Sequence, residues 1–399
     1  MKVIFKTSYD NDIDLHEDGW ARGKIALLVA VMATLPFFLG EYYLAEITNT
    51  LIWCLAGMGL MLLVGHTGQV SLGHAAFLAI GAYTDAALMN LGVPWLISFP
   101  LAGIAAGVFG AIVAIPAVRM SGIYLAIATL ALFVIVEEVI IIAEPITGGV
   151  GGIFAPSIDI FGIDFDRYSN LGNFYWLCLA VVVLITWMYA NLMRSPTGRS
   201  FLAVRDSEVS ARALGINVTR TRSLAFGLSC AITGLAGSLM GHYIAFFNYE
   251  LFSVFISINL LLVVTIGGLG FIQGAFFGAI LISAVPQVIS ILRDTLKANA
   301  GIDLSMPGLD TLIFSVILVT FIIYEPNGLY GRWLKIRAWF QLFPLARRDM
   351  FRQQKTYLKT ERMKGACWKL TTWRSISVGS RRWTACRSAS KRVRSSRLS

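Results

Sequence analysis

The residues with the clearest chemical potential lie in one glycine-rich stretch, residues 64–82, which reads VGHTGQVSLGHAAFLAIGA. It holds His66, Ser71 and His74, the residue types from which a hydrolase builds a nucleophile and its general base. Such a base needs a carboxylate to orient it, and none is near in the sequence. We therefore predict no catalytic residues in this chain.

Other common chemistries also lack their motifs. The sequence has no GxxxxGK[ST] phosphate loop, so we do not expect the chain to bind ATP by that device. It has no HExxH motif and no cluster with metal-ligand spacing, and its five cysteines form neither a disulfide framework nor a zinc pattern. The expectation is no metal and no cofactor in this chain.

Acidic residues interrupt two apolar runs. Asp85 lies in one of them and Glu137 with Glu138 in another. Inside a membrane such residues are candidates for substrate binding or for lining water, and an ion-coupled secondary transporter would use them. Pairing between subunits or snorkelling to the interface is the structural alternative, and we favour it for the two glutamates.

Two glycine-rich stretches, 64–82 and 265–283, resemble each other: each follows one apolar run, opens another and places Gln near glycines. Repeats of this kind occur in transporter halves, whereas close helix crossings are the alternative. The glycines of residues 144–152, EPITGGVGG, free further N–H groups. The predicted translocation pathway comprises Gly65, His66, Gly68, Gln69, Ser71, Gly73, His74, Thr147, Gly148, Gly149, Gly267, Gly268 and Gly270.

Residues 193–222 form the long internal connection between apolar runs. Pro196 and Gly198 predict a turn, after which apolar residues recur among charges as in short amphipathic helices, with Gly215 at the expected C-terminal cap. This pattern predicts a docking element for a soluble partner, whereas a solvated basic loop is the alternative. The docking residues are Arg205, Asp206, Glu208, Ala211, Arg212 and Gly215.

These residues must be positioned by membrane helices. The 399 residues are 56% hydrophobic and 14% charged, with mean hydropathy +0.70, against about 25% charged residues in soluble domains. A disordered chain is excluded as well. Runs of about 20 apolar residues span a bilayer as helices, so we predict an all-α integral membrane protein with eight to ten transmembrane helices. Ten spans are assigned: 25–44, 47–64, 72–90, 95–118, 122–143, 174–192, 223–247, 252–268, 272–291 and 309–325.

Spans 252–268 and 272–291 are separated only by a glycine turn, so they could also form a broken or re-entrant element. With ten alternating spans and the N-terminus inside, cytoplasmic segments hold 21 Lys and Arg and external segments hold three. The positive-inside rule then places both termini in the cytoplasm. Acidic residues before the first span argue against a cleavable signal.

Several of these stretches resemble one family. They are GHTGQVSLGHAAFLAIGAY, RMSGIYLAIATLA, EPITGGVGGI, AVRDSEVSARALGINVTRTRSLAFGLSCAITGLAGSL, TIGGLGFIQGAFFGA and YEPNGLYG. Together they resemble the permease subunits of ABC importers for branched-chain amino acids, specifically the larger of the two permeases. The resemblance extends over about residues 25–335.

The resemblance implies a type II-like permease with broken or glycine-rich helices in the bacterial inner membrane, importing Leu, Ile or Val. Its partners would be a second homologous permease, two cytoplasmic ABC ATPases that use the ATP, a periplasmic amino-acid-binding protein and the lipid bilayer, with no nucleic acid. The 193–222 segment would couple the chain to the ATPases. Related permeases carry urea or short amides, but the ALGIN stretch favours the amino-acid branch.

The chain divides into an N-terminal cytoplasmic segment, 1–24, a transmembrane domain, 25–331, a basic segment, 332–364, and a tail, 365–399. The tail holds nine Lys and Arg and no acid, so it carries almost all of the net charge of +10. Read in a shifted frame with suitable codons, it resembles the start of an ABC ATPase. We interpret it as a frameshifted read. The alternatives are a basic tail that contacts anionic lipid and a tether for nucleic acid, and the coding DNA distinguishes them.

Overall fold

The computed structural model describes residues 19–342 except 118–119, 121, 161, 168, 301–311, 313–314, 317–318, 321–322 and 325–327. The chain divides into two compact units, 1–335 and 336–399, and of the second only 336–342 are described. The predicted tail 365–399 and most of the predicted span 309–325 lie outside the described residues.

The described residues are largely helical. The α-helices are α1 (Gly19–Thr34), α2 (Glu41–Thr67), α3 (His74–Asn90), α4 (Trp95–Ala117), α5 (Ile123–Ile142), α6 (Glu144–Thr147), α7 (Leu171–Arg194), α8 (Pro196–Asp206), α9 (Glu208–Ala213), α10 (Val218–Ile244), α11 (Val254–Gly267), α12 (Ile272–Ala300) and α13 (Gly328–Leu342). Short 3-10 helices occur at Leu35–Phe37, Gly149–Gly151 and Tyr249–Phe252.

In the described part of the chain, four two-residue strands form two small antiparallel pairs. Strand β1 (Ile153–Phe154) pairs with β4 (Phe246–Phe247), with Ile153 opposite Phe247. Strand β2 (Asp159–Ile160) pairs with β3 (Ile163–Asp164) as a hairpin. The β1–β4 pair joins the loop after α5 to the end of α10, so it closes one end of the helix bundle.

Six of the described helices are long and apolar enough to cross a membrane, namely α2, α4, α5, α7, α10 and the Ile272–Ile291 part of α12. This agrees with the predicted all-α multi-pass membrane protein. A helix also lies in each of the other predicted spans up to residue 291, but α1 and α11 are shorter and α3 has 17 residues. The number of ten spans therefore stays a prediction.

The boundary between the first two predicted spans is wrong. Instead of one helix over 25–44, α1 ends at Thr34 and a 3-10 turn follows. Helix α2 then begins at Glu41, so the start of the second span was missed. Pro36 is the physical reason, because proline lacks an N–H for the helix and disfavours helical backbone in the residue before it.

Helices α2 and α10 form the centre of the bundle. In their most apolar windows 78% and 72% of the residues are buried, against 28% in α4 and 33% in α5. Helix α10 packs against α2, α3 and α4, and α2 also packs against α7, α11 and α12. The more exposed helices present apolar side chains outward, as expected where the surroundings are lipid or another membrane protein.

Helix α11 is too short to cross a membrane alone. Its 14 residues extend about 21 Å at 1.5 Å per residue, whereas the hydrocarbon core is about 30 Å thick. A turn of four residues joins it to α12, which packs against it. The arrangement favours the alternative that residues 252–268 are part of a broken element.

The broken helices and the helical segment that packs on them

One end of the bundle carries residues 193–222, and we call it the segment end; the opposite one is the far end. Helix α2 reaches the segment end at Thr67, where Gly68 adopts the left-handed conformation (φ 70°) and donates its N–H to Leu63. The chain then turns back into the bundle. The imidazole of His74 lies 2.9 Å from the Ser229 hydroxyl, which donates to the carbonyl of Gly59 at 2.6 Å. Gly59 is about 12 Å from the end of α2 at 1.5 Å per residue, so residues 68–73 re-enter the membrane region.

Hydroxyl groups from distant helices satisfy the re-entrant backbone. The N–H of Leu72 donates to Thr129 Oγ1 of α5 at 3.0 Å, and the N–H of Ala75 donates to Ser257 Oγ of α11 at 2.9 Å. A backbone without helical hydrogen bonds is tolerated at membrane depth only when protein groups satisfy it. At Gly73 a Cβ would lie 2.2 Å from the Thr129 carbonyl oxygen, so only glycine permits this approach.

His74 is a fully buried core residue in this chain. One ring nitrogen lies 2.9 Å from the Ser71 hydroxyl and the other 2.9 Å from that of Ser229, while Phe77 and Phe226 contact the ring edge-on. Both nitrogens therefore have partners. The structure gives Ser71 and His74 a structural function, and their assignment to the pathway stays a prediction.

His66 and Gln69 connect the end of α2 to its surroundings. Nδ1 of His66 lies 3.0 Å from the hydroxyl of Tyr189 on α7, and the Gln69 amide donates to the hydroxyl of Thr67 at 3.0 Å. All four residues are buried. The contact with Tyr189 ties the end of α2 to the helix that leads into residues 193–222.

Residues 193–222 contain two short helices, as the amphipathic pattern predicted. The predicted turn at Pro196 and Gly198 is wrong, because Pro196 is the first residue of α8. Proline is favoured at this position, where a helix leaves the N–H unpaired. Ser195 caps α8 by accepting from the Gly198 N–H, and Ser207 caps α9 in the same way. Gly215 has φ 81° and ends α9 with a hydrogen bond from the Ile216 N–H to the Ala211 carbonyl, which confirms the predicted cap.

The inner face of the segment packs on the bundle. Phe201 is fully buried in a cluster with Leu62, Tyr189 and Ala225. Val204 packs with Ala211 and Val218 in a second cluster. Predicted docking residue Ala211 is therefore a core residue of the segment. These contacts attach α8 firmly to α2, α7 and α10.

The outer face of the segment exposes apolar and charged side chains together. Val209 and Leu214 are each 79% exposed. Glu208 makes ion pairs with Arg212, at 3.6 Å, and with Arg222, while Asp206 is largely exposed. The outer face thus presents two apolar side chains among charged ones to the surroundings.

Arg205 turns inward, unlike the exposed side chains of α9. Its Nη1 donates to the carbonyl oxygen of Gly65 at 2.9 Å, and its Nε and Nη2 donate to Asp206 Oδ1 at 3.2 and 3.1 Å. A Cβ at Gly270 would lie 2.9 Å from the same Nη1. The structure thus brings a predicted docking residue into contact with both glycine-rich stretches, which the sequence did not indicate.

The predicted pathway residues lie at both ends of the bundle. Gly267, Gly268 and Gly270 lie at the end of α11, where a Cβ at Gly267 would be 1.9 Å from the Gly274 carbonyl oxygen. Thr147 is at the far end, and its hydroxyl donates to the carbonyls of Ile140 and Ala143. The Thr147 hydroxyl also accepts from the N–H of Gly149, and Gly148 has φ 74°. Among the described residues, no hydrogen bond joins the glycines at the end of α11 to the residues around Thr147.

The intramembrane acids occupy two different environments. Asp85 is buried, and its Oδ2 accepts from the hydroxyl of Ser238 and lies 2.9 Å from Nε2 of His242. Glu138 is exposed and Glu137 half-buried. Both lie near Tyr249, a residue of the far-end loop. The carboxylate of Glu250 chiefly raises the pKa of the Tyr249 phenol, and those of Glu137 and Glu138 add to this rise.

Sequence reasoning missed the hydroxyl residues that support the re-entrant chain. Thr129, Ser229 and Ser257 are each isolated in an apolar run, and only their position in the fold gives them a function. Single polar residues inside predicted spans were the available signal. Within the described part of the chain no group of three or more His, Cys, Asp or Glu could hold a metal ion.

Comparisons with known proteins give the same result as the motifs. Residues 42–343 match the family described as branched-chain amino acid transport system, permease component. The high-affinity branched-chain amino acid transport system permease protein LivM of Salmonella typhimurium is 33% identical over 329 residues, 76% of this chain and 73% of that protein. The chain belongs to this permease family. The match to LivM also supports the larger of the two permeases.

Two further relatives, less similar to this chain, come from one organism. The probable branched-chain amino acid transport permease protein LivM of Methanocaldococcus jannaschii is 28% identical over 61% of this chain and 69% of that protein. LivH of the same organism is 24% identical over 75% of this chain and 96% of that protein. No solved structure matches the chain.

Proposed function

We propose that this chain is the larger membrane-spanning permease of an ATP-driven importer for branched-chain amino acids. It forms half of the translocation pathway beside a second, homologous permease. Two cytoplasmic ATPases bind its coupling segment, residues 193–222, and a periplasmic binding protein delivers Leu, Ile or Val. The chain itself is not catalytic, and it lies in the bacterial inner membrane with both termini in the cytoplasm.

Family membership is the observation on which this proposal rests, and the shape of the coupling segment supports it. The segment is a pair of short helices attached to the bundle through Phe201 and presenting Val209 and Leu214 to solvent. A few residues near the centre of a protein interface contribute most of its binding energy once they are desolvated. A soluble ATPase with an apolar groove and complementary charges would bind this surface.

The docking surface can be tested with one substitution in the full chain. Val209→Glu places a charge in the centre of the proposed interface, so we expect co-purification of the ATPase from detergent-solubilised membranes to fall by about tenfold or more, since a buried unpaired charge costs several kcal/mol. The amount of the permease in the membrane should not change, because Val209 has no buried contact to lose.

Leu91→Glu is the matched control for this experiment. Leu91 is 80% exposed, nearly the same as Val209, but it lies at the far end, after α3. Its variant should retain the ATPase at the wild-type level. If both variants retain the ATPase equally, the surface of α9 does not bind it.

The substrate is tested in proteoliposomes that contain both permeases, the ATPases and the binding protein. We expect Leu, Ile and Val to stimulate ATP hydrolysis and uptake. Stimulation by urea or a short amide instead would assign the chain to that branch. Uptake that continues without ATP but stops when the ion gradient is collapsed would indicate an ion-coupled transporter.

A further inference from the structure

We propose that Arg205 is a positioning residue. It transmits movement of α8 to two places where the helical backbone is interrupted, namely the end of α2 and the turn between α11 and α12. The inference rests on the proposed function, because it needs a partner that moves the coupling segment. It differs from the expectation that Arg205 binds the ATPase. We call Arg205, Gly65 and Gly270 the Arg205 junction.

The first contact is with the end of α2. A helix leaves its last four carbonyl groups without intrahelical partners. Here the N–H groups of Gly68 and Gln69 both turn back to Leu63, so they do not satisfy the Gly65 carbonyl. The Arg205 guanidinium donates to it at 2.9 Å. A cation at a helix C-terminus also interacts favourably with the helix dipole.

The second contact is with the turn after α11. Gly270 has φ 86°, and a Cβ on it would lie 2.9 Å from Arg205 Nη1 and 3.4 Å from the Gly65 carbonyl oxygen. At Gly65 a Cβ would lie 2.8 Å from the Gly270 nitrogen. The guanidinium therefore lies where the backbones of the two glycine-rich stretches meet, with space for no side chain at either glycine.

The orientation of Arg205 is held from its own helix. Asp206 accepts from Nε and Nη2, which leaves Nη1 directed at Gly65. Phe201, one turn earlier, anchors α8 in the cluster with Leu62 and Tyr189. A displacement of α8 would thus act on α2 through an apolar contact and through a directed hydrogen bond. Lysine has one ammonium group and could not bond both Asp206 and Gly65 in this planar geometry.

The main experiment uses the full transporter in proteoliposomes with Arg205→Gln and Arg205→Lys. We expect both variants to retain the ATPase, while the amount of substrate imported per ATP hydrolysed falls by about tenfold, within the range of typical coupling between sites. Arg167→Gln is the matched control, because Nη1 of Arg167 also donates to a carbonyl in the last turn of a helix, that of Tyr243 at 2.8 Å, but at the far end of the bundle. An unchanged transport-to-ATP ratio in the Arg205 variants would overturn the proposal.

A glycine pair tests the same junction without changing Arg205. Gly270→Ala places a methyl group against Nη1, whereas Gly92→Ala introduces the same strain at the same φ of 86° with no atom within 4 Å. We expect Gly270→Ala to lower the transport-to-ATP ratio and Gly92→Ala to leave it at the wild-type value. Equal ratios in the two variants would contradict the role of the junction.

A third measurement needs no partner, so it separates this inference from the proposed function. In the purified permease, Arg205→Gln should speed hydrogen exchange at the amides of Gly68, Gln69 and Gly274, which close the two turns. Arg167→Gln, at the far end, should not. If exchange changes as expected but wild-type proteoliposomes import no amino acid, the junction exists and the proposed function is wrong. If exchange is unchanged, the junction itself is wrong.

Discussion

The carboxyl group of Asp85 shows how an acidic side chain is held inside this bundle. It joins α3 to α10 through Ser238 and His242, and its Oδ1 is buried without a partner among the described residues. A buried acceptor that is removed leaves its donors unsatisfied, at a cost of about 1–3 kcal/mol.

Two substitutions at Asp85 distinguish the hydrogen bonds from the charge. Asp85→Leu removes the acceptor of Ser238 and His242, so we expect it to lower the unfolding free energy in detergent by about 1–3 kcal/mol. Asp85→Asn keeps a carbonyl acceptor and removes the charge, so its stability should stay near the wild-type value. Thermal unfolding followed by tryptophan fluorescence measures both. Equal losses would mean that the charge, and not the acceptor, stabilises the fold.

At the residue scale, the sequence indicated which residues are important but not which of them are in contact. The charge pattern indicated Arg205, and the two glycine-rich stretches, 64–82 and 265–283, indicated Gly65 and Gly270. Their meeting could not be predicted, because 140 residues separate Arg205 from Gly65 and no local pattern specifies tertiary contacts. Ser257 gave only a weak signal, one hydroxyl in an apolar run, because its partner, the Ala75 N–H, is set by the re-entrant chain.

At the element scale, the packing of α3 against α10 depends on glycine. A Cβ at Gly81 would lie 2.0 Å from the carbonyl oxygen of Gly234, and one at Gly237 would lie 2.0 Å from that of Leu78. Small residues permit helices in membranes to approach closely, so that van der Waals contacts hold them together. The two helices could not keep this separation with any larger residue.

Gly81→Ala tests that packing, and Gly23→Ala controls for helix propensity. The first variant must separate α3 from α10, so we expect it to lower the unfolding free energy by about 1–3 kcal/mol. Gly23 lies in α1, where an added methyl group would have no atom within 4 Å, so its replacement should raise helix stability by up to about 1 kcal/mol. Thermal melts in detergent measure both. A neutral Gly81→Ala would contradict the close contact.

Elements with strong apolar patterns were predictable, and their interruptions were less so. The runs that became α4, α5 and α7 were assigned close to their observed ends, because length and hydropathy determine a membrane helix. The break at Pro36 was missed since the flanking residues are apolar on both sides. The re-entrant path of residues 68–73 was not predicted either, because buried hydroxyls on other helices make it possible.

At the scale of the whole molecule, the two shorter helices α3 and α11 meet inside the bundle. Helix α3 begins at His74, partway into the bundle, and α11 ends beside Gly65 at the segment end. Ser257 of α11 bonds the first turn of α3, so the two short helices meet within the membrane region. Their irregular connections lie beside the coupling segment. A movement of that segment would therefore act directly on the irregular backbone of these two connections.

The distribution of Lys and Arg predicts the orientation of the molecule in the membrane, and this prediction can be measured. In a variant whose tail cysteines, Cys367 and Cys386, are replaced by Ser, the remaining Cys54, Cys178 and Cys230 are buried. New cysteines at Val209 and Leu91 are then the reactive thiols, since both positions are exposed. The positive-inside rule predicts that a membrane-impermeant maleimide labels Leu91→Cys in intact spheroplasts. Val209→Cys should be labelled only in inverted vesicles. The reverse pattern would place the coupling segment outside the cell, where no ATP-driven partner could bind it.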